Sequence, residues 1–205
     1  VLPDSSVVIL NGNSSLRYNS DLATASVREA FLEGNAYFHV KQTASLTPFI
    51  VHAHELKIYV TGTEFNVNAR SRATNVVLTS GKVNVTLEKN RKTVYMLPGY
   101  TLNVDTLSNE FITTKTNTEL YTAAWNRGEW HFEETTLSVV AGLIREYYGM
   151  EMVFTSPAQR NLMITAVVSV SDFNTLIQVI EKTLNISIET QNQQLIIINP
   201  QSKQL

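Results

Sequence analysis

Apolar and polar residues alternate through the first half of the chain, the period expected of strands half-buried against a core. Val7-Val8-Ile9-Leu10 is followed by Asn11-Gly12-Asn13, a combination that marks a tight turn. A loose repeat then appears. Leu32-Glu33-Gly34 leads to Phe38 and Val40, and Val60-Thr61-Gly62 leads to Phe65 and Val67. Leu78-Thr79-Ser80-Gly81 leads to Val83 and Val85, and Leu97-Pro98-Gly99 leads to Leu102 and Val104. Each unit reads as strand, tight turn, strand. Glycine supplies the positive φ of the turn, and the alternate apolar residues face one core. The glycines are irregularly spaced, so the pattern predicts a twisted all-β stack of short strands, solenoid-like without a strict period. Asp21 to Ser26 carries the only helical signal in this half.

The texture changes between Asp105 and Glu119, where polar stretches hold few core candidates. The domain boundary is placed there, giving an all-β domain over residues 1–116 and a second domain over 117–205. A short helical turn is expected from Leu120 to Trp125. Beyond Asn126-Arg127-Gly128 the period becomes mixed. Strands are predicted at Glu129 to Phe132, Met150 to Phe154, Leu162 to Val170, Ile186 to Glu189 and Gln194 to Asn199. Helices are predicted from Leu137 to Tyr148 and from Phe173 to Leu184, with Thr136 and Ser171 or Asp172 as N-caps.

This half repeats at an offset of 36. Leu137, Val140, Ile144 and Tyr148 match Phe173, Leu176, Ile180 and Leu184. Gly149 matches Asn185, and both suit a helix C-cap. Two strand-helix-strand units are implied, and neither can bury its apolar face alone.

Composition narrows the function classes. The 205 residues are 43% hydrophobic and 17% charged, with a formal net charge of −2. That balance argues against nucleic-acid binding, which calls for a basic patch or stripe. The one basic cluster, Lys89-Asn90-Arg91-Lys92, reads as a solvated hairpin tip. With no cysteine, disulfides and thiolate sites are excluded. No run approaches the roughly 20 apolar residues of a membrane span. The opening Val1-Leu2-Pro3-Asp4 lacks a Met and a basic n-region, as expected of a segment of a longer chain.

No catalytic set emerges. His52-Ala53-His54 would put two imidazoles on one strand face, but a metal needs further ligands. Glu133-Glu134 reads as the acidic approach to a helix. Phosphate loops, Gly-x-Ser-x-Gly and His-Glu-x-x-His are absent. Asn13, Asn84 and Asn185 begin glycosylation-type triplets that arise often by chance. The prediction is a protein that is not an enzyme and needs no cofactor or metal.

Several ordered motifs resemble a known family. Leu2-Pro3-Asp4-Ser5-Ser6-Val7 with Ser14-Ser15-Leu16-Arg17-Tyr18 is similar to the opening of the FecR sensor domain, whose usual wording has Gly where Ser5 stands. Leu32-Glu33-Gly34-Asn35-Ala36-Tyr37-Phe38-His39-Val40, Pro48 to His52, Val60 to Val67, Ser80-Gly81-Lys82-Val83 and Leu97-Pro98-Gly99 follow in the family's order. Ala124-Trp125-Asn126-Arg127-Gly128 and the pattern after it resemble the C-terminal domain of Bacteroidetes members.

The resemblance implies the periplasmic region of a single-pass inner-membrane anti-sigma regulator. It also implies an all-β, solenoid-like subdomain followed by one like the secretin/TonB short N-terminal (STN) domain. Its expected partner is the signalling domain of an outer-membrane TonB-dependent transporter. An extracytoplasmic-function sigma factor is expected to bind a cytoplasmic domain absent from these residues.

Leu195-Ile196-Ile197-Ile198 is apolar at every position, so both faces of that strand need cover. This strand, extended to Asn199, or its neighbour is the predicted docking surface, by strand addition. The alternative is cover by the protein itself. Trp125 and Trp130 are expected at the junction between domains. A competing class, an adhesive or carbohydrate-binding module, would use the rings of Tyr18, Tyr37, Tyr59, Tyr95 and Tyr100.

Overall fold

The computed structural model describes residues 1–70, 73–105, 107–108, 110–118, 122, 125, 127–192 and 194–198. The chain divides into two compact units, Val1–Glu119 and Leu120–Leu205.

Alternation in the first unit becomes an eleven-stranded sheet. Its strands are β1 (Val7–Leu10), β2 (Ser15–Tyr18), β3 (Arg28–Val40), β4 (Phe49–Ala53), β5 (Leu56–Val60), β6 (Thr63–Ala69), β7 (Ala73–Ser80), β8 (Val83–Leu87), β9 (Lys92–Met96), β10 (Tyr100–Asp105) and β11 (Phe111–Lys115). The order is β11-β10-β7-β6-β3-β4-β5-β8-β9, with β1 and β2 also paired to β3. The sheet curls into a half-barrel. Its terminal strands approach each other where the Lys92 ammonium sits 4.4 Å from the Phe111 ring centroid.

The long strand β3 organises this curl. Its first part pairs with β2 and β4, and its second part with β1 and β6. Gly34 marks the change, at φ 96°. A Cβ there would stand 2.4 Å from Ser14 Oγ, so the close approach requires glycine. The expected turn at Gly34 is therefore a bend within one strand. Gly62, Gly81 and Gly99 do lie between strands. Asn11-Gly12-Asn13 also turns the chain, but β1 and β2 do not pair with each other; each pairs with β3. Residues 21–26 form turns rather than a helix.

Cross-strand rows fill the core. Val8, Phe38, Phe65, Leu78 and Tyr100 are successive partners, and the Phe38 and Phe65 rings stack at 5.0 Å. Ala30, Val51, Ile58, Val85 and Val94 make a second row. The opposite face of β3, β6 and β7 is buried too, through Asn35, Tyr37, Asn66, Asn68, Asn75 and Val77. Alternation alone predicted a single buried face. The sequence signal for the second is that four of these six positions carry amides and none carries a charge.

In the second unit the strands are β12 (Glu129–Thr136), β13 (Glu151–Val153), β14 (Met163–Ser169), β15 (Ser187–Gln191) and β16 (Gln194–Ile198). The helices are α1 (Leu137–Tyr148) and α2 (Phe173–Leu184), and a 3-10 helix spans Pro157–Asn161. Thr136 and Asp172 occupy the N-caps, and Asp172 accepts a hydrogen bond from the Thr175 backbone at 2.9 Å. Gly149 (φ 74°) and Asn185 (φ 51°) close the helices in the left-handed region. The first strands of the two repeats, β12 and β14, pair with each other. The other sheet runs β13-β16-β15, so each repeat depends on its twin for pairing. One core serves both, including Trp130, Val140, Ile144, Leu176, Ile180 and Leu195.

Candidate docking surfaces and structural pins

β16 is the central strand of its sheet. It runs parallel to β13 at Glu151–Val153 and antiparallel to β15 at Ser187–Gln191. Leu195 and Ile197 are fully buried, and Ile196 is half-buried on the other face. The prediction that a partner adds a strand to β16 is corrected over Gln194–Ile196, where both edges are already hydrogen-bonded. The apolar run reflects core packing. Ile198 ends the strand, and Asn199 lies outside the described residues.

The neighbours of β16 are what remain open. Among the described residues, β13 and β15 each pair on one side only, as do β12 and β14. In the first unit β1, β2, β9 and β11 likewise pair on one side only among the described residues. Unpaired strand edges invite strand addition. The second unit therefore exposes more edge for its size.

Trp130 was expected at a junction, but its surroundings are those of a core residue of the second unit. It is 1% exposed and lies 5.6 Å from Tyr147, 6.0 Å from Tyr148 and 5.9 Å from Phe132. Trp125 places its ring 5.3 Å from Tyr147. The Tyr148 hydroxyl donates to the Val170 carbonyl at 2.5 Å, and burial raises its pKa. The rest of the expected helical turn from Leu120 to Trp125 falls largely on residues outside those described.

Glu146 sits on α1 and is almost wholly buried. Loss of hydration pushes its carboxyl up to about 7, against a smaller opposing effect of Arg145.

Sequence reasoning missed a polar pin in the first unit. Asp4 Oδ2 accepts from Arg28 Nη1 at 2.7 Å, and both side chains are buried, 3% and 1% exposed. Arg28 also donates to the Lys41 carbonyl at 2.9 Å and the Thr47 carbonyl at 2.7 Å. Asp4 further accepts from the backbone N–H and hydroxyl of Ser6. This accounts for the aspartate in the Leu2-Pro3-Asp4 opening. Ser5 adopts φ 69°, the region that favours glycine, so a glycine at this position has a plain physical reason.

The histidines do not converge. His52 Nε2 lies 3.0 Å from Glu29 and its ring stacks on Phe31 at 4.4 Å. β4 ends at Ala53, so His54 (φ 50°) turns away and meets the Thr74 hydroxyl at 2.9 Å. The shared strand face expected for the two imidazoles is thus broken by the turn. His39 and His131 stand near Glu64 and Glu129. No group of three or more potential ligands lies together among the described residues. Tyr37 is buried, Tyr95 is 76% exposed and Tyr18 39% exposed. Residues 88–91 form the tip between β8 and β9, as the basic cluster predicted. No helix among the described residues is long and apolar enough to cross a membrane.

Comparison with known proteins gives two family matches. The profile described as FecR protein matches residues 1–84, and that described as FecR, C-terminal matches residues 129–197. No curated protein matches the chain. Two crystal structures of a candidate anti-sigma factor from Parabacteroides distasonis share the fold. One, at 1.65 Å resolution, has 24% identity and a TM-score of 0.68. The other, at 2.50 Å, has 25% identity and a TM-score of 0.67. Both matches cover 97% of this chain and 92% of the other. A half-barrel matched at its start by one FecR profile, and a duplicated strand-helix unit matched by the other, place the chain in the FecR family of anti-sigma regulators.

Proposed function

We propose that the chain is the periplasmic signal-sensing region of its regulator, of the Bacteroidetes type, and acts by binding rather than catalysis. Its partner is the periplasmic signalling domain of an outer-membrane TonB-dependent transporter. Occupation of the transporter is relayed through this contact to an extracytoplasmic-function sigma factor, held by a cytoplasmic domain outside these residues. The first unit is the FecR sensor domain and the second an STN-like domain, with the division near residues 116–117.

The observation that carries this reading is the juxtaposition, in one chain, of the two FecR segments with a second unit rich in unpaired strand edges. A relay needs a surface that a folded partner can extend, and a sheet edge supplies main-chain hydrogen bonds with few side-chain demands. The two FecR matches support a regulatory, binding role for this surface.

The test is isothermal titration of the 205-residue chain with the purified signalling domain of the transporter encoded beside its gene. Saturable one-to-one binding is expected. No heat and no co-elution at concentrations up to about 100 μM would count against the reading, since even weak specific pairs associate in that range.

A further inference from the structure

A groove of about 270 Å³ runs between α1 and β13. One wall is α1, with Ser138, Gly142 and Arg145. The other is β13, with Glu151 and Met152, continued by Phe154 and Arg160. Three features of this groove belong together.

The first is backbone. β13 is an edge strand whose single ladder, among the described residues, is to β16. The second is charge. Arg145 and Arg160 are both exposed, and neither forms a salt bridge among the described residues. Arg145 acts on its neighbour Glu146 only at a distance. Arg160 lies 4.4 Å from the Phe154 ring centroid, which holds its guanidinium over the groove wall. Glu151 is the one carboxylate lining the groove among the described residues, and it accepts a hydrogen bond from Gln194 at 3.4 Å.

The third is space. Gly142 stands in the middle of α1, where glycine weakens a helix relative to alanine. A Cβ at this position meets nothing within 4 Å, so packing inside the chain does not demand glycine. The groove's outer wall is fixed as well. Thr155 and Ser156 donate backbone N–H groups to Gln159 Oε1, and the Thr155 hydroxyl donates to the Ile197 carbonyl at 2.9 Å.

We infer that this groove receives an extended, acidic segment of the partner, which adds to the edge of β13, passes over Gly142 and pairs its carboxylates with Arg145 and Arg160. The edge offers only three residues, so the guanidiniums supply the remaining hold and the register. The inference rests on the proposed binding function and names the surface that performs it.

The experiment measures affinity of the full 205-residue chain for the transporter signalling domain. Two variants are compared with the wild type, R145E/R160E and Gly142→Leu. Each is expected to bind about tenfold more weakly. Wild-type affinity is expected to fall as NaCl rises from about 50 to about 500 mM, and that of the charge variant to change far less. Gly142→Leu is expected to melt no lower than the wild type, which separates blockage from unfolding. If the wild type binds and both variants bind equally well, the groove assignment is overturned while the binding function stands. If the wild type does not bind, both fall together.

Discussion

The two units of this protein reach a defined fold by different means. The first closes a curled sheet and fixes its opening loop with a buried, hydrogen-bonded ion pair, Arg28 with Asp4. The second has no buried ion pair among the described residues and relies on a duplicated apolar pattern packed around Trp130. A long sheet curled on itself hides most of its strands between neighbours. Five strands divided between two small sheets cannot, and leave most of theirs at an edge. The contrast is one of edge: among the described residues four of the first unit's eleven strands pair on one side only, against four of the second unit's five.

The largest expected effect breaks the first unit alone. Arg28→Ala leaves Asp4 buried without its cation and should cost about 3–5 kcal/mol. Hydrogen exchange would show protection lost across β3 and β4 but kept in α1 and α2. Equal loss in both units would mean that their stabilities are not separate. Next, Leu195→Ala should cost about 2–5 kcal/mol in the second unit, because it opens a cavity in a closed core. Were β16 a surface strand, denaturant melts would change by only about 0.5 kcal/mol.

A third effect depends on pH. In the folded state Glu146 holds its proton to about pH 7, whereas the unfolded carboxyl releases it near 4.5. Between those values the folded chain binds more protons, so stability falls as pH rises and is lowest above 7. The swing is on the order of 3 kcal/mol. Glu146→Gln should flatten it, and thermal melts at pH 5 and pH 8 would read the difference. A wild-type protein equally stable at both values would contradict the assignment. The smallest effect is at Ser5→Gly, which relieves a left-handed residue and should stabilise the first unit by about 0.5–1 kcal/mol in denaturant melts.

Local patterns made the second unit legible. Leu137, Val140 and Ile144 recur at helical spacing, and Gly149 and Asn185 stop both helices where the chain must turn left-handed. Pairing order was not legible. The run Leu195 to Ile198 shows only that both faces need cover, and the same run suits a central strand or a docking edge. Gly34 resembled the turn glycines around it, because its bend within a strand and the turns at Gly81 and Gly99 make the same demand on φ. Arg28 gave no signal, being a lone basic residue whose role depends on Asp4 across 24 positions. Arg145 and Arg160 likewise belong to different elements and meet only at the groove.

The most direct test of the central claim is hydrogen exchange of the 205-residue chain with and without the transporter signalling domain. Slower exchange confined to the second unit, strongest at Glu151–Val153 and along the facing side of α1, is the predicted result. Protection confined to the first unit, or none in either unit at saturating partner, would contradict it.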